Sequence, residues 1–270
     1  TTYNAGRVMS LIGLDVPLAK GREVPLLADP IIAPTVHGVT GLDGPDLPEP
    51  KKEPVAKGAA HLIAECVAQS DEPVVLVPTG PLTNIATFIL LYPELKEKIQ
   101  HIYLMGGGIA HGNWTPAAGF NILVDPEAAD IVFRSGIPIT MAGLDVTEKA
   151  LVYPEDFERI GAVANEVAKV TAGWLGFFYQ FHQTLGYRGA PVHDAVAVAA
   201  IVKPELMQFH EMYVEVETKG DYSRGATVGD LYGVTGKKPN VRCIMDIDRE
   251  AFVDLLVEAV EHYGKGENDD

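Results

Sequence analysis

A histidine and an aspartate stand side by side, His193 and Asp194, at the head of the apolar run HDAVAVAA (193–200). The pair joins an imidazole that titrates near neutrality to a hard oxygen ligand, types suited to proton transfer and to cation binding. Read singly, each is ordinary. Asp194 would cap the helix that follows, accepting N–H bonds for about 1 kcal/mol, and His193 would be a hydrogen-bonded interior residue. Polar groups recur at similar junctions: PTGPLTN (78–84) follows VVLV, GGGIAHGNW (106–114) follows IYLM, and GLDVT (143–147) follows IPITMA. In parallel sheets ligands gather where strands end and helices begin, because loops converge there and helix N-termini present free N–H groups.

The elements that would position these residues alternate β-rich apolar runs with segments of helical period, which predicts an α/β fold with an open, mostly parallel, Rossmann-like sheet flanked by helices. Strands are predicted over 74–77, buried, and over 102–105, 137–142, 212–216 and 241–246. Helices are predicted over 81–91, entered through Pro81, over 125–135, with Pro126 in the first turn, within 154–185, and over 249–263. Trp174, Phe177, Phe178 and Phe181 read as core packing. The chain opens on Thr1 with a helical stretch (3–12) before any strand, so a first strand is missing in front. The segment from Ala28 to Pro54 is too rich in proline and glycine for regular structure and reads as a functional or disordered loop. Residues 1–270 read as one domain with a flexible acidic tail at 264–270.

The chain has 270 residues, 47% of them hydrophobic, enough for a substantial core. Its 37 acidic against 21 basic side chains, a formal charge of −16, would repel a phosphate backbone, so nucleic acid is not an expected partner. No apolar run reaches membrane-spanning length and no signal-peptide pattern opens the chain. The two cysteines, Cys66 and Cys243, have no metal-ligand spacing and read as core filler in a reduced, cytoplasmic compartment.

Taken jointly, VPTGPLTNIA (77–86), LMGGG (104–108), GNWTPAAGFNILVDPEAA (112–129), GLDVT, VHDAVAV (192–198) and the loop motif HGVTGLDG (37–44) resemble, in order and spacing, the inosine-uridine-preferring nucleoside hydrolases. The resemblance runs from about Thr1 to Tyr263. It implies hydrolysis of the N-glycosidic bond of purine or pyrimidine ribonucleosides through an oxocarbenium-like transition state. A bound calcium ion would grip the ribose hydroxyls and the attacking water. By the same resemblance, the Thr79 carbonyl and the Asp194 carboxylate would ligate the metal, and His193 would activate the leaving base. Asn113 and Asn121 would hydrogen-bond the ribose, Met105 and Phe120 would line the substrate pocket, and His37 would sit on a loop closing over the base. A homodimer or homotetramer is implied as well.

Two departures stand out. The family's N-terminal DxDxxxDD motif, which supplies further calcium carboxylates and the base that deprotonates water, is absent, and its missing strand would leave a slot in the sheet. Gly119 stands where the family carries a glutamate that binds the 5′ end of the ribose. Three readings follow: an N-ribohydrolase, a nucleoside-binding or assembly protein of the same fold without turnover, and a nicotinamide-dependent enzyme resting only on Gly106–Gly108. The last is weak, because a dinucleotide-binding turn should pass directly into a helix, and Asn113 to Pro116 ill suit one.

Overall fold

Apolar runs of strand length lie between helices that show one apolar face, and glycine closes the runs of the second and third strands, at Gly106 and Gly143. The computed structural model describes residues 1–264, apart from the side chain of His37; the rest of the expected tail, 265–270, lies outside the described residues. The strands are β1 (Val74–Leu76), β2 (Ile99–Met105), β3 (Ile139–Ala142), β4 (Leu151–Val152), β5 (Ala190–Pro191), β6 (Met207–Val216), β7 (Thr227–Asp230) and β8 (Val241–Ile247). The α-helices are α1 (Thr2–Ile12), α2 (Pro34–His37), α3 (Ala59–Gln69), α4 (Thr83–Leu91), α5 (Phe120–Leu123), α6 (Pro126–Phe133), α7 (Leu144–Thr147), α8 (Pro154–Gly161), α9 (Glu166–Thr184), α10 (His193–Val202) and α11 (Arg249–His262).

Six strands form one sheet in the order β1-β2-β3-β8-β6-β7, and β4 pairs with β5 separately. The pairings β1–β2, β2–β3 and β3–β8 are parallel, whereas β8–β6 and β6–β7 are antiparallel. The sheet is therefore mixed and mostly parallel. Helices α3, α4 and α6 cover one face around Phe88, Ile102 and Leu104, while α7, α10 and α11 cover the other around Ala142, Val196 and Phe252. Helices α8 and α9 pack outside α11.

Several expected boundaries shift for physical reasons. Strand β1 is not the buried strand its composition predicts: Val74 and Val75 are half-buried and Val77 is 38% exposed. It ends the sheet and pairs with no strand other than β2 among the described residues. Helix α4 begins at Thr83, two residues beyond Pro81. Strand β6 starts five residues earlier than the apolar run 212–216, because its antiparallel pairing with β8 runs back to Met207. In the loop 28–54 the Asp43 carboxylate accepts N–H bonds from Val39 and Thr40 and the Thr40 hydroxyl, tying the turn after α2.

Caps fix the helices that feed the site. Asp125 caps α6, accepting from Ala128 N at 3.2 Å, and its other oxygen accepts from Leu26 N at 2.9 Å and the Thr83 hydroxyl at 2.6 Å. This fully buried carboxylate joins α6, α4 and the N-terminal loop. Asp125→Asn, which turns an amide nitrogen toward one or more of these donors, is expected to lower unfolding free energy by about 3 kcal/mol in urea titration. The cysteines divide: Cys243 is buried, with its thiol pushed up to about 12 by burial, but Cys66 on α3 is exposed and is not core filler. A thiol reagent is expected to label Cys66 alone in the native protein and both cysteines in denaturant.

Candidate active site

The carboxyl ends of β2 and β3 lie in register, Met105 beside Ala142, while β1 ends at Leu76 beside Ile102, and three loops leave the sheet at this edge. Thr79 follows β1. Met105 ends β2, and Asn121 enters from α5. The Asn121 Nδ2 group contacts the Thr79 carbonyl at 3.2 Å, the Met105 carbonyl at 3.1 Å and the Met105 sulfur at 3.2 Å. Its amide protons are thus spent inside the protein, which leaves Oδ1 as the acceptor it can offer. Asn113 is the converse, since its Oδ1 accepts from Phe120 N at 3.1 Å and Nδ2 remains as donor. The two asparagines present opposite hydrogen-bonding faces.

Gly106–Gly108 serve close packing. Gly107 has φ 76°, and a Cβ there would lie 2.7 Å from the Thr227 hydroxyl. Thr227 in turn accepts from Gly108 N and donates to Gly108 O, both at 2.9 Å. No helix follows until α5 at Phe120, so the dinucleotide-turn reading is set aside.

Helix α10 starts at His193, with Val192 in the cap position, and Asp194 makes no capping bond. The capping explanation of Asp194 therefore fails. Its carboxylate has no hydrogen-bond partner among the described residues; solvent reaches it through the cavity, while protein encloses it on most other sides. That burial pushes its carboxyl up to about 6. His193 Nδ1 lies 2.8 Å from the Thr147 hydroxyl at the end of α7, a contact that orients the ring.

These residues meet in one cavity of about 330 Å³. Thr79, Met105, Asn113, Phe120, Asn121, His193 and Asp194 all line it, as do Thr35 and Val36 of α2. The side chain of His37, at the end of α2, lies outside the described residues. Gly119 lines the cavity, and a Cβ there would make ordinary contacts near 3.5 Å. A second hollow of about 270 Å³ adjoins it, sharing Phe178, His193 and Asp194.

Some lining residues escaped the sequence reading. Phe178 and Phe181 are half-buried cavity walls, with Trp174 and Phe177 on the second hollow, rather than core. Phe178, Phe181 and His182 share one face of α9, and the i, i+3, i+4 spacing signalled that face without saying what it met. Glu148, one residue beyond GLDVT, also lines the cavity. Tyr187 lines it too, whereas the adjacent Arg188 lies over the Tyr153 ring at 5.6 Å. Burial, followed by the charge and hydrogen bond of Glu148, pushes the Tyr187 phenol up to about 12.

The family model of the inosine-uridine preferring nucleoside hydrolases matches residues 1–254. The chain belongs to that family. The pyrimidine-specific ribonucleoside hydrolase RihA of Shewanella woodyi is 50% identical over 268 residues, 98% of this chain and 86% of that one. RihA of Escherichia coli O7:K1 is 50% identical over 266 residues, 97% of this chain and 86% of its own. Among solved structures, a purine-preferring ribonucleoside hydrolase from Gardnerella vaginalis superposes with TM-score 0.89 at 30% identity, covering 98% of this chain and 86% of that one. The plant nucleoside hydrolase PpNRh1 gives 0.86 at 28%, covering 96% and 85%. Membership of the nucleoside hydrolase family makes the chain an N-glycosidase by class, with small nucleosides as the class of substrate.

In kind, the Thr79 carbonyl and Asp194 carboxylate suit a hard cation such as calcium. In number they are two of the six to eight oxygens that calcium takes. No group of three or more His, Cys, Asp or Glu gathers to hold a metal among the described residues. Gly107→Ala is expected to cost about 2 kcal/mol or more in urea unfolding, from the positive φ and the collision with Thr227 together.

Proposed function

We propose that this nucleoside hydrolase acts as a single domain on pyrimidine ribonucleosides, using water to release free base and ribose. The observation that carries the reading is the convergence of Asp194, Thr79, Asn113, Asn121 and His193 on one cavity of about 330 Å³, near the lower end of small-ligand sites. The names of the RihA relatives support pyrimidines.

In the reaction, water adds to C1′ of the ribose, and the electrons of the C1′–N bond leave with the base, which takes up a proton. Asn113 Nδ2 donates to one sugar hydroxyl and Asn121 Oδ1 accepts from another, which fixes the ring orientation. Thr147 engages His193 Nδ1 and orients the ring, and the imidazole supplies the proton for the departing base. Asp194 and the Thr79 carbonyl would hold calcium, with water and sugar hydroxyls completing its shell. When bound, the cation supplies positive charge that grips the sugar hydroxyls and polarises the attacking water.

The lining contains Glu148 and Asp194 and no Lys or Arg among the described residues, so beyond the cation a substrate phosphate would find no Lys or Arg to pair with. Two unpaired cysteines support a cytoplasmic setting, and no helix among the described residues is long and apolar enough to cross a membrane. Exposed Val198, Ile201 and Val202, on one side of α10, support a homodimer or homotetramer, which sedimentation would test.

The deciding assay is ribose release from uridine and cytidine with calcium, then with chelator. Turnover that stops on chelation and returns with calcium is expected, and a protein that binds nucleosides without releasing ribose contradicts the reading. Asp194→Asn is expected to lower kcat/KM at least about a hundredfold. His193→Ala is expected to slow nucleoside cleavage about 100-fold or more. The same variant should cleave 4-nitrophenyl riboside nearly as well as wild type, because that leaving group needs no proton. Uridine 5′-monophosphate should be at least about a hundredfold poorer a substrate than uridine.

A further inference from the structure

Gly119 lines the cavity without a side chain, and its backbone does not require glycine. Its φ of −78° and ψ of 147° are extended values that any residue adopts, and a Cβ there would have no neighbour nearer than 3.5 Å. The nearest atoms are Gly107 N, Gly107 O and Leu144 Cδ1, each at 3.5 Å, so the one side chain among them is apolar. Gly107 O is already engaged, accepting from Leu144 N at 2.9 Å. One wall of the cavity therefore keeps a place that a side chain could fill.

What a nucleoside presents there follows from its shape. The base sits on C1′, the diol on C2′ and C3′, and the 5′-hydroxymethyl group on C4′, across the ring oxygen from C1′ and turned away from the diol. The cation end of the cavity takes the diol, and Asn121 belongs to that end, its Nδ2 lying 3.2 Å from the Thr79 carbonyl. The base end is His193 with the rings of α9, and α2 packs on α9. The wall left for C5′ is the loop from Gly106 to Phe120, where Gly119 lies. Beside it stand Asn113, whose Oδ1 accepts from Phe120 N at 3.1 Å, and the Trp114 and Phe120 rings, 4.9 Å apart. A site that hydrogen-bonds a hydroxyl firmly rejects the analogue without it, because its own polar group is left unpaired. A wall of apolar surface with one side-chain amide has little such power.

We propose that Gly119 opens the 5′ side of the site, so that this hydrolase also takes 5′-deoxynucleosides and nucleosides with a small uncharged 5′ substituent. The proposal rests on the hydrolase reading for the placing of the sugar.

The test is kcat/KM for uridine and for 5′-deoxyuridine in calcium buffer, on wild type and on Gly119→Glu, whose carboxylate would accept from the 5′-hydroxyl. Wild type is expected to favour uridine by less than about tenfold, the worth of one neutral hydrogen bond. Gly119→Glu should raise that ratio at least about tenfold, because a charge-assisted bond to the hydroxyl is gained. If Gly119→Glu does not fold, Gly119→Gln, a neutral acceptor of the same reach, is read in its place, with a rise of at least about threefold expected. A wild-type ratio of about tenfold or more, or a smaller rise in the variant, overturns the proposal. If neither nucleoside is cleaved, the hydrolase reading fails, and equilibrium dialysis of both nucleosides against the same proteins reads the 5′ selectivity separately. Affinities within about tenfold in wild type that separate in the variant sustain it; any other pattern, or no binding, overturns it.

Discussion

The side-chain amide of Asn121 ties the carboxyl ends of two neighbouring parallel strands to one point. Its Nδ2 reaches the Thr79 carbonyl after β1 and the Met105 carbonyl at the end of β2. It adds to the backbone bond from Met105 N to the Pro78 carbonyl at 3.0 Å, which holds the same loop to β2. The same bonds decide what Asn121 can offer a ligand, an oxygen rather than an amide nitrogen. A positioning contact and a recognition contact are thus two ends of one amide group.

The charges around this floor are one-sided. Asp194 has no hydrogen-bond partner among the described residues and is open to solvent, Glu148 lines the same cavity, and no Lys or Arg is among the described lining residues. Such an arrangement holds a carboxylate ready for a cation. The two carboxylates differ in surroundings. Asp194 borders both hollows without a partner among the described residues, whereas Glu148 has His111 Nε2 at 3.6 Å.

Much of this was legible in the sequence wherever a short motif coincided with a strand end. Thr79, Met105, Asn113, Asn121, His193 and Asp194 were named from such motifs, and they share one cavity. Helix α6 was readable from Asp125 and Pro126, which act locally as cap and first turn. What was not legible depended on distant neighbours. Phe178 and Phe181 carry the same apolar spacing whether they meet a core or a cavity, and Cys66 sits on a helix whose outward side is visible only once α3 is docked. Whether Asp194 capped its helix turned on where α10 begins, a matter of one or two residues that sequence patterns do not resolve. Glu148 carries no motif of its own, and only the folded chain brings it to the same cavity as Tyr187, about forty residues away.

The central claim is that the Thr79 carbonyl and the Asp194 carboxylate address one cation position. The most direct measurement is an anomalous difference map from crystals of this protein grown with calcium. The account predicts a single strong peak in the cavity within about 2.3–2.6 Å of both oxygens. A map with no peak there, or with a calcium whose ligands omit either residue, would contradict it.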